Sequence, residues 1–369
     1  MKIKPICGAV LLFCVLLFCV LLLFCGCERK THPVGAAPIQ EEPTSLATEP
    51  GPATEPGPAT EPGPAIEPVT QPIENKNDVF SEDQITVNNS TFSLTEKEQD
   101  GLFSVMNEGY FVYYDIAFYV LDLESQMSFG YHADEYFSPA CTRKAGLALA
   151  WYMQLEENRI KNEQGIPLRH GDSRPLLTDW YYYDGTDYME GSGVIGRNGY
   201  GYYTVQDLLH YLLYASDNTA YLALWNTLGR EKYIALEEEL GIPDYPEPGR
   251  GDQLWTPMRP LDIGLIWQRI WEYRRTGSPE SQQLWYELTH NLYCEISKVV
   301  DGADEIAHKS GSDEYGFHEA GIVVRAEHAY VVVAMSDIPL SQAWDDNDCI
   351  HRVIKRIDSI MQRYYAEYS

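Results

Sequence analysis

Apolar and polar positions divide this chain into three stretches of different character. The first is an almost unbroken apolar run from Ile6 to Phe24, behind Lys2 and Lys4 and ending at Cys25-Gly26-Cys27. A basic start, an apolar stretch and small residues before a cysteine predict an export leader over residues 1–27. The run is also close to the ~20 residues that span a bilayer, so a transmembrane anchor is the alternative. The second stretch, residues 28–78, has no periodicity. Thr-Glu-Pro-Gly-Pro-Ala occurs three times between Thr48 and Ala65, which predicts an extended, solvated linker without a core. At ~3.1 Å per residue it would reach on the order of 100 Å.

Periodic patterning resumes in the third stretch, residues 79–369. A helix is expected over Leu94–Asn107, with Ser93 and Thr95 as cap candidates. Runs rich in aromatic and branched residues predict strands within Tyr110–Leu123 and Met127–Tyr131. From Ala140 to Tyr286 the pattern is mostly helical. Leu208, Leu209, Leu212 and Leu213 mark one apolar helix face, and Leu261, Ile263, Leu265 and Ile266 another. Strand signals return at Glu305–His308, Gly321–Arg325 and Ala329–Met335, followed by a helix over Ile350–Tyr365. Strands at both ends of a helical middle predict an α+β fold, one sheet with a helical region inserted.

Composition narrows the function. Over 369 residues the net charge is −28, which excludes nucleic acid as a partner, since that needs a basic footprint. Hydrophobic residues at 44% allow a large core. Five of the eight cysteines lie in the leader, leaving Cys141, Cys294 and Cys349. A disulfide framework is therefore not expected, although Cys294 with Cys349 stays open. Leu23-Phe24-Cys25-Gly26-Cys27 resembles a bacterial lipobox. That resemblance implies cleavage before Cys27, lipidation of its thiol, and a protein anchored by two acyl chains outside the cytoplasm, on the outer side of the cytoplasmic membrane or the periplasmic side.

Three segments carry candidate chemistry: Pro139-Ala140-Cys141-Thr142-Arg143-Lys144 at the head of a helix, Ser216-Asp217-Asn218 after the leucine-faced helix, and His308-Lys309-Ser310-Gly311 closing a strand. A nucleophile in the first turn of a helix sits against the partial positive charge of that terminus. A lysine three residues on shares its face and can take its proton or stabilise its anion. In order and separation these segments resemble the S-x-x-K, S-D-N and K-T-G motifs of class A β-lactamases and penicillin-binding proteins. The likeness extends to Asp134-Glu135-Tyr136-Phe137, Tyr203-Thr204-Val205 and Ala307-His308. It implies an antiparallel sheet flanked by helices with a helical subdomain, and an acyl-enzyme mechanism without cofactor or metal. It also implies residue roles: Lys144 as proton acceptor, Ser216 as the proton path to the leaving nitrogen, Asn218 on the substrate amide, and Lys309 and Ser310 on its carboxylate. Gly311 completes that motif, and the oxyanion would lie between the backbone N–H groups of Cys141 and Ser312.

Two departures stand out. Cys141 occupies the serine position. It reads as a working thiol nucleophile, as an acyl site kept only for binding, or as an engineered replacement. A helix terminus and an ammonium both favour the reactive thiolate, but the larger sulfur disturbs a geometry that must hold within about 0.5 Å. Second, Glu-x-x-Leu-Asn, the segment with the water-activating carboxylate in class A enzymes, is missing before Thr256-Pro257. Glu247 is the nearest candidate, and without a placed base deacylation is slow. The expectation is a β-lactamase-like acyl hydrolase acting on β-lactams or D-alanyl cell-wall peptides. The alternative is an impaired lipoprotein that binds such ligands. Gly191-Ser192-Gly193-Val194-Ile195-Gly196 matches a dinucleotide pattern without its βαβ context and reads as a loop. The scattered histidines show no zinc spacing. Tyr181-Tyr182-Tyr183 reads as packing, with a sugar-binding rim as the alternative.

Overall fold

The computed structural model describes residues 84–368 apart from 90, 110, 171–172, 186–192, 196–199, 244, 246–255 and 343–348. The expected leader with Cys27, the Pro-rich linker and Glu247 lie outside the described residues. No helix among the described residues is long and apolar enough to cross a membrane.

In chain order the elements are β1 (Thr86–Asn88), α1 (Glu96–Met106), β2 (Ile116–Asp122), β3 (Ser128–Tyr131), α2 (Lys144–Glu163), β4 (Trp180–Tyr183), β5 (Gly201–Thr204), α3 (Val205–Tyr214), α4 (Asn218–Leu224), α5 (Arg230–Glu239), α6 (Pro260–Arg275), α7 (Pro279–Thr289), β6 (Glu305–Ser312), β7 (Phe317–Arg325), β8 (His328–Ser336) and α8 (Cys349–Tyr368). Six strands form one antiparallel sheet in the order β1-β3-β2-β8-β7-β6. The fold is α+β, an antiparallel sheet flanked by helices.

Alternation along the strands decides which side chain meets which helices. Ala117, Tyr119, Leu121, Val331, Val333, Ala320 and Ile322 join the core formed with α2, α3, α6 and α7. Ile116, Phe118, Val120, Val332, Ala334 and Val323 join the second core, with α1 and α8. Covered on both faces, β8 is buried from Ala329 to Ser336, which is why its sequence reads as a continuous apolar run rather than an alternating one. The C-terminal helix places Ile350, Val353, Ile354, Ile357, Ile360, Met361 and Tyr364 in the second core, the three-and-four spacing of an amphipathic helix. Thr95 and Glu98 form a capping box at the start of α1, so Thr95 rather than Ser93 is the cap.

The structure corrects several expectations. The middle is mostly helical, as the pattern predicts, and also holds an element the pattern did not mark, the two-stranded hairpin β4–β5. Tyr183 is buried, whereas Tyr182 and Tyr202 are exposed and pack against each other with ring centroids 4.8 Å apart. On α6 the buried face is Ile263, Ile266, Trp267 and Ile270. Leu265 falls off that face because it is out of step with the 3.6-residue period. Strands β6 and β7 run further than their apolar segments, because Lys309–Ser312 and Phe317–Ala320 continue the ladder. All three described cysteines are free, so Cys294 and Cys349 are not joined.

Candidate active site

The three motif segments converge where the N-terminus of α2, the α3–α4 turn and the edge strand β6 meet. A 3-10 turn, Ala140–Arg143, leads directly into α2. The first half of α2 is buried almost continuously from Lys144 to Tyr152. It is the central helix of its layer, which fixes the turn carrying Cys141. Beneath that turn Arg143 is 1% exposed, with its guanidinium 5.3 Å from the Trp225 ring centre, 4.6 Å from that of Tyr233 and 3.2 Å from Glu237. Of the five described non-glycine residues with left-handed backbone, two lie at this site: Ala140, with φ of 44°, and Ser216, with φ of 53°. Both are within the motif segments, and such strain persists only where the surroundings over-determine it.

Two buried ammonium groups flank Ser216. Lys144 Nζ donates to Ser216 O at 2.6 Å, to Asn218 Oδ1 at 2.5 Å and to Ser216 Oγ at 3.3 Å. From the opposite side Lys309 Nζ donates to Ser216 Oγ at 3.0 Å and to Ser310 O at 2.9 Å. Cys141 is partly exposed, and its thiol donates to Asn218 Oδ1 at 3.8 Å. The Ser216 hydroxyl therefore accepts from both lysines, which leaves its own proton to donate elsewhere. Among the described residues no carboxylate hydrogen-bonds Cys141, Lys144 or Ser216.

Electrostatics follow from this crowding. Burial opposes ionisation of Cys141, but Lys144, Lys309 and a hydrogen bond from Ser216 outweigh it, so the thiol lies below its ordinary value. Burial pulls the Lys144 ammonium down. Burial, reinforced by repulsion from Lys144 and opposed by Cys141, brings Lys309 down to about 8. The site thus holds a thiol inclined to ionise beside amines inclined to give up protons, a combination that suits nucleophilic attack with proton relay.

The remaining sequence candidates are placed as follows. Gly311 passes against the Cys141 turn so closely that an added Cβ would stand 2.8 Å from Thr142 N and 3.0 Å from Cys141 N. Ser312 follows it at the end of β6. The Ser310 hydroxyl does not project freely toward the cleft: it donates to Tyr293 O at 2.7 Å. The Thr256-Pro257 segment joins the site's lead-in, since Met258 and Phe137 exchange backbone bonds of 2.9 and 3.0 Å.

Sequence reasoning passed over Asp217 and Arg143 as site residues. Asp217 caps α4 through Ala220 N at 2.9 Å, and its other oxygen accepts from Val194 N at 2.7 Å and Ile195 N at 2.8 Å. It ties the described part of the glycine-rich stretch to the second motif. Its place in Ser216-Asp217-Asn218 was the available signal. Nothing in the sequence marks Arg143 as buried.

A two-layered helical cover on an antiparallel sheet, with three motif segments meeting at one edge strand, defines the β-lactamase type of fold. Residues 108–363 match the model of the beta-lactamase enzyme family, Beta-lactamase2, and the chain belongs to that family. Among solved structures it is similar to PBP-A, at 18% identity and a TM-score of 0.59 over 73% of this chain and 97% of that one. A PBP-A mutant in its acyl-enzyme complex with penicillin G matches at 19% identity and a TM-score of 0.58, with the same coverage of 73% and 97%. A class A β-lactamase from Mycobacterium abscessus matches at 19% identity and a TM-score of 0.54, over 73% and 99%. Comparison with curated protein sequences gives no match.

Proposed function

We propose that this protein is an acyl-transfer enzyme of the penicillin-recognising kind that uses Cys141 as its nucleophile and releases its acyl group slowly. The observation that carries the reading is the placement of Ser216 between Lys144 and Lys309, beside a partly exposed Cys141 whose thiol both cations favour as thiolate. In the proposed step the Cys141 sulfur attacks the carbonyl of a β-lactam or a D-alanyl amide. A C–S bond forms, the C–N bond breaks, and the thiol proton travels through Lys144 and Ser216 to the leaving nitrogen. Close contact between β6 and the nucleophile turn supports an oxyanion site at the backbone N–H groups of Cys141 and Ser312. Water must then cleave the thioester. The missing Glu-x-x-Leu-Asn segment, and the lack of a carboxylate bonded to Cys141, Lys144 or Ser216 among the described residues, favour a long-lived acyl-enzyme.

The same two features favour a second reading, a lipoprotein that holds a cell-wall peptide or β-lactam without turnover. In either case the leader and the Cys27 lipobox support an exported protein tethered to a membrane, its linker spacing the folded part from the surface. Stopped-flow mixing with a chromogenic cephalosporin separates the readings. A stoichiometric burst followed by a slow steady rate is expected. Saturable binding without a burst would favour the second reading.

A further inference from the structure

The proposed proton relay makes no use of a buried aromatic ring beside Lys144. Tyr221 on α4 is 0% exposed, and Lys144 Nζ stands over its ring, 5.7 Å from the ring centre. Asn218 and Tyr221 are three residues apart on α4, so their side chains share a helix face. Both meet the same ammonium: Asn218 Oδ1 accepts from Nζ at 2.5 Å, and the ring presents its face to it. The ring is itself held in place. Tyr221 N donates to Asp217 O at 3.1 Å, and the Trp225 ring packs against that of Tyr221 with centroids 6.1 Å apart.

As an ammonium Lys144 has three protons to donate, and its acceptors are Ser216 O, Asn218 Oδ1 and Ser216 Oγ, all in the second motif. The ring adds a neighbour of another kind, since an aromatic face carries partial negative charge and attracts a cation. That attraction is strongest where water is excluded, and Lys144 is 0% exposed. Burial alone would make Lys144 shed its proton, whereas Cys141, on the turn before α2, and Asp217 favour keeping it. Lys309 on β6 is the other cation at the site, and the two repel. The ring works against burial without adding a charge of its own. Burial, opposed by Arg143 and reinforced by Cys141 and Glu237, holds the Tyr221 phenol above its ordinary value, so the ring stays neutral.

We infer that Tyr221 is a positioning residue for the acyl-transfer step, the face of its ring holding the Lys144 ammonium that forms when the Cys141 proton is taken up. In that transfer the S–H bond breaks, the proton bonds to the Lys144 amine, and a thiolate–ammonium pair results. The ring favours this pair over the thiol and neutral amine, because only the ammonium is drawn to it. The proton then continues through Ser216 to the leaving nitrogen. The inference rests on the proposed reading of the cleft as an acyl-transfer site.

The test fluorinates the ring in the full chain, since each added fluorine weakens the negative face and changes the ring's size little. Tyr221→Phe is the reference, followed by phenylalanines with one, two and three fluorines at the same position. Acylation by a fluorescent penicillin is expected to slow step by step, at least threefold from Tyr221→Phe to the trifluorinated ring. The urea midpoint should fall in the same order, and the fall should vanish when Lys144→Met is added to each. A packing role alone would move the midpoint alike with and without Lys144. Fluorinated tyrosines, which keep the hydroxyl, repeat the series if Tyr221→Phe does not fold. Equal acylation rates along the series, or a midpoint series unaffected by Lys144→Met, would overturn the inference and leave the acyl-transfer reading standing. If penicillin does not acylate the native protein, the acyl-transfer reading falls and the inference with it.

Discussion

Gly311 and Cys141 lie in near contact, with a Cβ on the glycine falling 3.0 Å from the Cys141 backbone nitrogen. Edge strand β6 is thereby held against the Cys141 turn, and in the proposed mechanism the spacing between them depends on the lack of a side chain at Gly311. Gly311→Ala must push the two apart. Its other near neighbours are Thr142 Cγ2, at 2.9 Å, and Thr142 N, at 2.8 Å, and the latter is backbone and cannot rotate away. The expected outcome is a loss of at least a hundredfold in the rate of penicillin labelling with a change in Tm of only a few degrees. The two quantities are read by stopped-flow labelling and calorimetry on the same preparation.

The cations around Cys141 make a separate prediction about its reactivity. Alkylation by iodoacetamide should titrate with a midpoint below the ordinary thiol value, because Lys144 and Lys309 outweigh the effect of burial. Lys144→Ala should move that midpoint upward. Cys294 serves as an internal contrast, since burial raises its thiol. Peptide mapping across a pH series should show Cys141 modified at lower pH than Cys294. The reverse order would remove the electrostatic basis of the mechanism.

Asp217 links the second motif to the glycine-rich stretch. Asp217→Ala strips the partner from three backbone N–H groups, those of Val194, Ile195 and Ala220. Each buried donor left without a partner costs roughly 1–3 kcal/mol, so a loss of several kcal/mol is expected. Urea unfolding reads it as a lower midpoint. Gly193 faces the same carboxylate with φ of 57°, and an added Cβ would lie 2.2 Å from Asp217 Oδ2. Gly193→Ala should therefore destabilise as well, through the same contact.

Glu319 predicts how stability depends on pH. Its carboxyl lies at about 8 in the folded protein against 4.5 as its ordinary value. Between those two values the folded state holds a proton that the unfolded state has released, so stability falls as pH rises. The contribution is complete below about 4.5 and lost above about 8, a change on the order of a few kcal/mol. Glu319→Gln should flatten the Tm profile across that window and be more stable than the native protein at pH 8. Equal slopes for the two proteins would contradict the assignment.

Much of the fold could be read from side-chain periodicity. The long apolar runs of β2 and β8, the amphipathic C-terminal helix and the leucine face of α3 all appear where the pattern placed them. Elements whose residues carry a second signal were harder to read. The hairpin β4–β5 is built from Trp180–Tyr183 and Gly201–Thr204, where tyrosines on both faces hide the alternation. The ends of β6 and β7 contain Lys309, Ser310 and Glu319, polar residues whose strand conformation comes from the ladder and not from their propensity. The motif residues Cys141, Lys144, Ser216, Asn218 and Lys309 were identifiable from the order and separation of three short segments along the chain. The structure brings them within reach of one another. Arg143 and Glu319 were not identifiable as buried, since burial of a charged side chain depends on what long-range packing places around it. For Arg143 that is Trp225, Tyr233 and Glu237.

The most direct test of the central claim is the intact mass of the protein after incubation with penicillin G, run beside Cys141→Ala. The account predicts one penicilloyl adduct on the native protein. It should map to Cys141, be released by hydroxylamine at neutral pH as a thioester is, and be missing from the alanine variant. An adduct at another residue, or an unmodified native protein under conditions where Cys141→Ser is acylated, would contradict it.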